Sequence, residues 1–180
     1  FFNENETAIA DYSGYKFFDK HMKEIKKEVA SLSWQEEDGA QKYEHYMLKE
    51  IMEQPVAVEH LIESLETDQK EKIEKIKELI SNSKRIVFVA SGSSYHACLL
   101  GVYFLNRAGI ETHAVIASEF RNFYMVDDKT LLIAISQSGE TMDVIKALSG
   151  MKALGAKIAS VVNAPYSTID RMSNLSLCLR

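Results

Sequence analysis

From Lys84 onward, short apolar runs alternate with helical patterns along the sequence. The runs are apolar throughout, which is typical of strands buried on both faces of a parallel sheet that helices cover. The sequence therefore predicts an α/β fold of three αβα layers. The predicted strands are Ile86–Ala90, Thr112–Ile116, Leu131–Ile135, Lys157–Val162 and Leu175–Leu179. A helix through Cys98, Val102 and Leu105 to Gly109 and another over Met142–Leu154 are predicted between them.

The first part of the chain has a different pattern. Two short runs around the turn Asp11–Gly14 predict a hairpin of Thr7–Ala10 and Tyr15–Phe18. A later run around Val29, Leu32 and Trp34 could be strand or helix. The acidic stretch Glu36–Gly39 marks the predicted boundary between residues 1–40 and 41–180.

Helical spacing resumes after that boundary. Tyr43, Met47 and Ile51 predict one helix, and Pro55 is placed to open a second. A third helix is predicted over Gln69–Ile80, with its Lys and Glu residues on a solvated face. The chain begins with Phe1 and stops at the end of an apolar run, so we expect it to be a piece of a longer protein.

Composition excludes several function classes. The net charge is -5, from 21 Lys and Arg against 26 Asp and Glu, so a nucleic-acid partner is not expected. No apolar run approaches the ~18 residues of a membrane span. Cys98 and Cys178 form no CxxC pair and are interpreted as reduced packing residues of a cytoplasmic protein. The five His residues show no metal-ligand spacing, and nucleotide-binding glycine motifs are missing, so no metal or cofactor is expected.

Two hydroxyl-rich loops follow predicted strands: Ser91-Gly-Ser-Ser94 and Ser136-Gln-Ser-Gly-Glu-Thr141. In a sheet of the flavodoxin-like order 2-1-3-4-5, those two strands are neighbours, and ligands bind at their carboxyl ends. Each loop also opens a helix, where free N–H groups favour an anion. The sequence therefore predicts a phosphate pocket, although serines in such positions could instead be ordinary N-caps.

The chemical roles of some residues in and beside these loops stay open. Glu140 could be a general base, or an acid favoured by a helix N-terminus. His96, one turn into the helix, could face the pocket or simply pack. Ser93 and Ser94 have no evident base to make either of them a nucleophile.

At these residues the chain resembles the first sugar isomerase (SIS) domain of the glutamine–fructose-6-phosphate aminotransferase family, the glucosamine-6-phosphate synthases. The resemblance is carried by Ile135–Thr141, Ala117-Ser-Glu-Phe-Arg121, Ala90–Tyr95 and His45–Pro55, and covers nearly the whole chain. Residues 1–40 then look like the end of a glutaminase-type domain with a linker, and 41–180 like the first SIS domain.

The resemblance implies a site for fructose 6-phosphate, in an enzyme that transfers ammonia from glutamine to form glucosamine 6-phosphate. It implies a homodimer through the isomerase half. Ser136, Gln137, Ser138 and Thr141 correspond to the family's phosphate-binding loop, and Ser93 and Ser94 to residues that contact the sugar phosphate. Relatives often have Cys-Gly-Thr-Ser at the first loop, and here Ser93 keeps a hydroxyl. The Asn163–Ser167 motif is also shared, without an assigned role.

The family's ammonia-releasing cysteine and its catalytic histidine, glutamate and lysine lie in parts that this chain does not match. We therefore expect sugar-phosphate binding without catalysis and name no catalytic residue here. One alternative is a phosphosugar isomerase or deglycase complete in one SIS domain, which would turn over its substrate unaided. Another is a sugar-phosphate-sensing module of a regulator, which would need a DNA-binding segment that the sequence does not offer.

Overall fold

The computed structural model of the protein describes residues 5–27, 43–122 and 126–179. The chain divides into two compact units, Phe1–Lys42 and Tyr43–Arg180. The run around Val29, Leu32 and Trp34 and the boundary stretch Glu36–Gly39 lie outside the described residues.

The first unit contains a three-stranded antiparallel sheet of β1 (Thr7–Asp11), β2 (Gly14–Phe18) and β3 (Glu24–Ile25). Thr7 pairs with Phe18 and Asp11 with Gly14, so the predicted hairpin is confirmed. At its turn, the Asp11 carboxylate accepts the N–H of Ser13 at 2.7 Å. This side-chain bond is the usual way in which Asp stabilises a tight turn.

The second unit opens with two helices, α1 (Tyr46–Glu66) and α2 (Lys70–Ser81). The prediction that Pro55 begins a separate helix is wrong, because Pro55 lies inside the continuous helix α1. Proline removes one N–H from the helical ladder. Here the turn around Pro55 is exposed, so water can satisfy the freed Ile51 carbonyl. Proline usually begins or breaks a helix, but the exposed position of Pro55 lets the helix continue through it.

A five-stranded parallel sheet forms the centre of this unit. Its strands are β4 (Arg85–Ala90), β5 (Thr112–Ile116), β6 (Thr130–Ser136), β7 (Lys157–Val162) and β8 (Leu175–Cys178). They lie in the order β5-β4-β6-β7-β8, which is the flavodoxin-like order 2-1-3-4-5. The predicted fold class and sheet order are confirmed.

Helices cover both faces of the sheet. On one face, α2 and α3 (Ser93–Arg107) pack against Ile86, Phe88 and Ile133. The other face carries α4 (Met142–Lys152), α5 (Thr168–Met172) and the 3-10 helix Ala117–Asn122, packed on residues such as Val87 and Leu132. Successive residues of one strand thus serve opposite cores, which explains why the strands are apolar throughout.

A side chain pairs with the backbone of the edge strand β8. Gln69, at the start of α2, is buried and donates from Nε2 to the Cys178 carbonyl at 2.8 Å. Its Oε1 accepts the Cys178 N–H at 2.8 Å. The amide therefore pairs with the strand as a neighbouring backbone would, and it anchors α2 to the sheet.

Among the helices described, none has both the length and the apolar character needed to cross a membrane.

Candidate functional site

The two hydroxyl-rich loops leave neighbouring strands at the same edge of the sheet. β4 and β6 are paired in parallel, with Val89 opposite Ala134, and paired strands lie about 4.8 Å apart. We call Ser91–Ser94 the β4 loop and Ser136–Thr141 the β6 loop. The helices that follow them, α3 and α4, pack on opposite faces of the sheet. This is the topological switch point at which ligands bind in open α/β sheets.

The β6 loop is held together by its own hydroxyls. Ser136 Oγ accepts the Gly139 N–H at 3.1 Å and shares a hydrogen bond with Thr141 Oγ1 at 3.0 Å. Ser138 Oγ accepts the Glu140 N–H at 3.2 Å. Ser136 is buried, so it shapes the turn from below. Gln137 and Ser138 are exposed, at the surface where a ligand would arrive.

Neither loop uses a serine or threonine side chain to cap its helix. The N-cap of α3 is Gly92, and Ser93 and Ser94 already belong to the first turn. The N-cap of α4 is Thr141, whose side chain makes no capping bond and turns instead to Ser136. The interpretation of these hydroxyls as ordinary N-caps is therefore wrong, which leaves the first-turn N–H groups of α3 and α4 without side-chain caps. Such groups attract anions.

The β7 loop (Asn163–Ser167) and the first residues of α5 support the β6 loop. The Asn163 N–H donates to the Gln137 carbonyl at 3.0 Å, and the Ile169 N–H donates to the Gly139 carbonyl at 3.0 Å. The Thr168 N–H donates to Glu140 Oε1 at 2.7 Å. The residue types of the motif Asn163–Ser167 do not by themselves indicate this role. Its position after the next strand of the sheet was the signal that could have identified it as a support.

The contact between Gly139 and Ser167 fixes the residue type at position 139. Gly139 has φ +65°, and a Cβ placed on it would lie 1.9 Å from Ser167 Oγ. Ser167 is only 6% exposed, and its hydroxyl finds no hydrogen-bond partner within the described part of the chain. A side chain at position 139 would therefore be strained and would collide with Ser167.

Ser93 and Ser94 lie in the first turn of α3, where Ser93 is exposed and Ser94 half-buried. Their hydroxyls make no hydrogen bond to any other residue that the structure describes. His96 is exposed in the next turn, with its ring 5.9 Å from that of Tyr95 in an edge-on contact. The structure thus brings all six predicted site residues to the ends of two adjacent strands. Four of them lie in the β6 loop, which its own hydrogen bonds hold together.

The chemistry available at this edge is that of neutral donors. Burial raises the pKa of the nearby Cys98 thiol to about 11, so it stays protonated at neutral pH and is a poor nucleophile. Across the described residues, no three His, Cys, Asp or Glu side chains are grouped so as to hold a metal ion. Hydroxyls and backbone N–H groups can bind an anionic oxygen without supplying a charge of their own.

Comparison with known proteins places this arrangement in a family. Residues 79–180 match the SIS domain model. The glutamine–fructose-6-phosphate aminotransferase of Clostridium tetani is 43% identical over 176 residues, and that of Sulfurisphaera tokodaii is 42% identical over 168. These alignments cover 93% and 90% of this chain but only 29% and 27% of the relatives, so the chain spans less than a third of their length.

The comparison of structures gives the same result. The C-terminal domain of the glucosamine-fructose-6-phosphate aminotransferase from Francisella tularensis superimposes with a TM-score of 0.70 at 35% identity. The match covers 78% of this chain and 41% of that one. The three-layer fold and its sheet are therefore shared with the isomerase half of such enzymes.

Proposed function

The chain belongs to the SIS domain family, and from that premise we propose that it binds a sugar phosphate at the carboxyl ends of β4 and β6. The observation that carries the proposal is the pairing of these two strands, which sets both hydroxyl-rich loops side by side. The phosphate accepts hydrogen bonds from the β6 loop and the first turn of α4. Ser93 and Ser94 contact the rest of the ligand from the β4 loop.

The proposed ligand is fructose 6-phosphate or the product glucosamine 6-phosphate. This choice rests on the similarity to the glutamine–fructose-6-phosphate aminotransferases, whose name includes fructose 6-phosphate. A phosphate dianion suits a site of neutral donors, because hydrogen bonds to a charged group are about twice as strong as neutral ones. In an acidic chain, uncharged hydroxyls also bind the anion without needing a basic cluster.

The same similarity defines the rest of the proposal. Within a full-length aminotransferase, this chain supplies the first SIS domain at residues 41–180, and residues 1–40 belong to the end of a glutaminase-type domain. We place the enzyme in the cytoplasm and the isomerase half in a homodimer. The homodimer is supported by the exposed apolar side chains of Tyr103 and Phe104 on α3, which a second subunit would cover. The chain by itself binds sugar phosphate and does not turn it over.

A thermal-shift measurement tests the binding proposal. Fructose 6-phosphate, glucosamine 6-phosphate and plain fructose are compared on this chain. Ligand at about 100 times its Kd adds about 2.7 kcal/mol to the free energy of unfolding, which corresponds to roughly 5 to 10 °C in Tm. Both phosphorylated sugars should raise Tm and fructose should not. Equal shifts from fructose and its phosphate would overturn the proposal.

Two variants localise the effect. Ser138→Ala removes an exposed hydroxyl of the β6 loop and should reduce the shift. Ser149→Ala is the matched control, because Ser149 is an exposed serine two turns into α4 whose hydroxyl bonds to the Ile145 carbonyl. It should leave the shift unchanged. Conversion of fructose 6-phosphate by this chain alone would favour a complete single-domain isomerase instead.

A further inference from the structure

Glu140 is an acidic residue inside a loop that we assign to an anion. Its side chain is exposed and lies next to the N-cap of α4. A carboxylate near a bound phosphate repels it, since like charges a few ångströms apart disfavour each other even in a high dielectric. On the proposed function, the charge of Glu140 therefore opposes phosphate binding rather than aiding it.

The structure gives the carboxylate a specific partner. Glu140 Oε1 accepts the backbone N–H of Thr168 at 2.7 Å, across 28 residues of sequence. Thr168 is the first residue of α5, so this N–H is one of the donors that a helix cannot satisfy within itself. Two backbone hydrogen bonds also reach the β6 loop, one from Asn163 of the β7 loop to Gln137 and one from Ile169 of α5 to Gly139. Glu140 adds a charged side-chain bond to that junction.

We propose that Glu140 is a positioning residue, which holds the β6 loop against the start of α5 so that its hydroxyls keep a binding arrangement before any ligand arrives. The inference rests on the proposed function of that loop. Gly139 makes the loop conformationally permissive, and a loop that must be ordered on binding loses affinity. The bond to Thr168 removes part of that freedom in advance.

This role differs from that of a general base in a way that two substitutions separate. Glu140→Gln keeps an oxygen acceptor at the same distance along the side chain but loses the charge and the basicity. Glu140→Ala loses all three. A base is abolished equally by both changes, whereas a positioning residue is rescued by Gln.

Amide hydrogen exchange, measured by NMR on the unliganded chain, tests the positioning directly. Thr168 and Gly139 amides should exchange about tenfold faster in Glu140→Ala and at the wild-type rate in Glu140→Gln, because only Ala removes the acceptor. Asp143→Ala is the matched control, since it removes a carboxylate from the first turn of α4 and should leave both exchange rates unchanged. Unchanged exchange in Glu140→Ala, or equal acceleration in both Glu140 variants, would overturn the proposal.

Calorimetric titration with fructose 6-phosphate and with inorganic phosphate supplies the second readout. Glu140→Ala should raise Kd about fivefold, while Glu140→Gln should bind as well as wild type or more tightly because the repulsive charge is gone. Asp143→Asn reports the effect of removing a nearby charge alone. If both Glu140 variants bind more tightly than wild type, the carboxylate only repels and the inference is wrong. If wild type binds neither ligand, the proposed function fails, and the exchange rates still decide whether Glu140 positions the loop.

Discussion

The β4 loop and the β6 loop both combine glycine with hydroxyl residues and follow neighbouring strands, yet they are held in different ways. Ser136, Ser138 and Thr141 hydrogen-bond within the β6 loop, and backbone N–H groups of the β7 loop and α5 donate to it. The hydroxyls of Ser93 and Ser94 bond to nothing else in the described part of the chain. Similar residue types thus give a β6 loop that is fixed by hydrogen bonds and a β4 loop whose serine hydroxyls are free to donate. The difference arises because a neighbouring segment supports only the β6 loop.

The largest effect is expected from breaking the contact that packs the fixed loop. Gly139→Ala places a methyl group where Ser167 Oγ already lies, 1.9 Å from the new atom, and in a left-handed backbone region. The combined strain and overpacking should lower the free energy of unfolding by about 2 to 5 kcal/mol. Denaturant unfolding of the purified chain measures this change.

Gly150→Ala is the control for that variant. Gly150 lies inside α4, and a Cβ there meets nothing within 4 Å. Alanine in a helix interior should stabilise the chain by about 0.5 to 1 kcal/mol relative to glycine. A Gly139→Ala variant as stable as Gly150→Ala would mean that the β6 loop is not packed against Ser167 in solution.

A smaller effect should separate the two kinds of serine within the β6 loop. Ser136→Ala removes a buried oxygen and leaves the Gly139 N–H without its acceptor, which should cost about 1 to 3 kcal/mol of stability. Ser138→Ala removes an exposed oxygen that water can replace, so stability should change by less than about 0.5 kcal/mol. Chemical denaturation of both variants under one set of conditions makes the comparison. Equal losses would contradict the division between a buried scaffold serine and an exposed one.

Much of this fold follows from the sequence because each strand of the parallel sheet is a short, mainly apolar run. Thr112–Ile116 and Lys157–Val162 have the predicted bounds, since turn residues border each apolar run. The sheet order then placed both hydroxyl-rich loops at one switch point. The exception is Pro55, where a reliable local signal failed because the helix tolerates proline on an exposed turn.

The support of the β6 loop could not be predicted in the same way. Its bonds from Asn163 to Gln137 and from Ile169 to Gly139 use backbone groups, which every residue possesses, so no residue type marks them. The pairing of Glu140 with Thr168 depends on how the start of α5 meets the β6 loop, a matter of packing rather than of local pattern. Residue types indicated which atoms could bind a ligand, and only the fold shows which of them are already occupied.

The smallest change in stability, with a clear change in binding, is expected in the free loop. Ser93→Ala removes an exposed hydroxyl without a described partner, so Tm of the unliganded chain should stay within about 1 to 2 °C of wild type. If that hydroxyl donates to a bound sugar phosphate, its loss should raise Kd for fructose 6-phosphate about tenfold. Calorimetric titration measures the affinity, with Ser149→Ala as the control that should keep it. A Ser93→Ala variant that is destabilised but binds normally would reverse the comparison, because the β4 loop would then be part of the scaffold and its hydroxyl would not be a ligand donor.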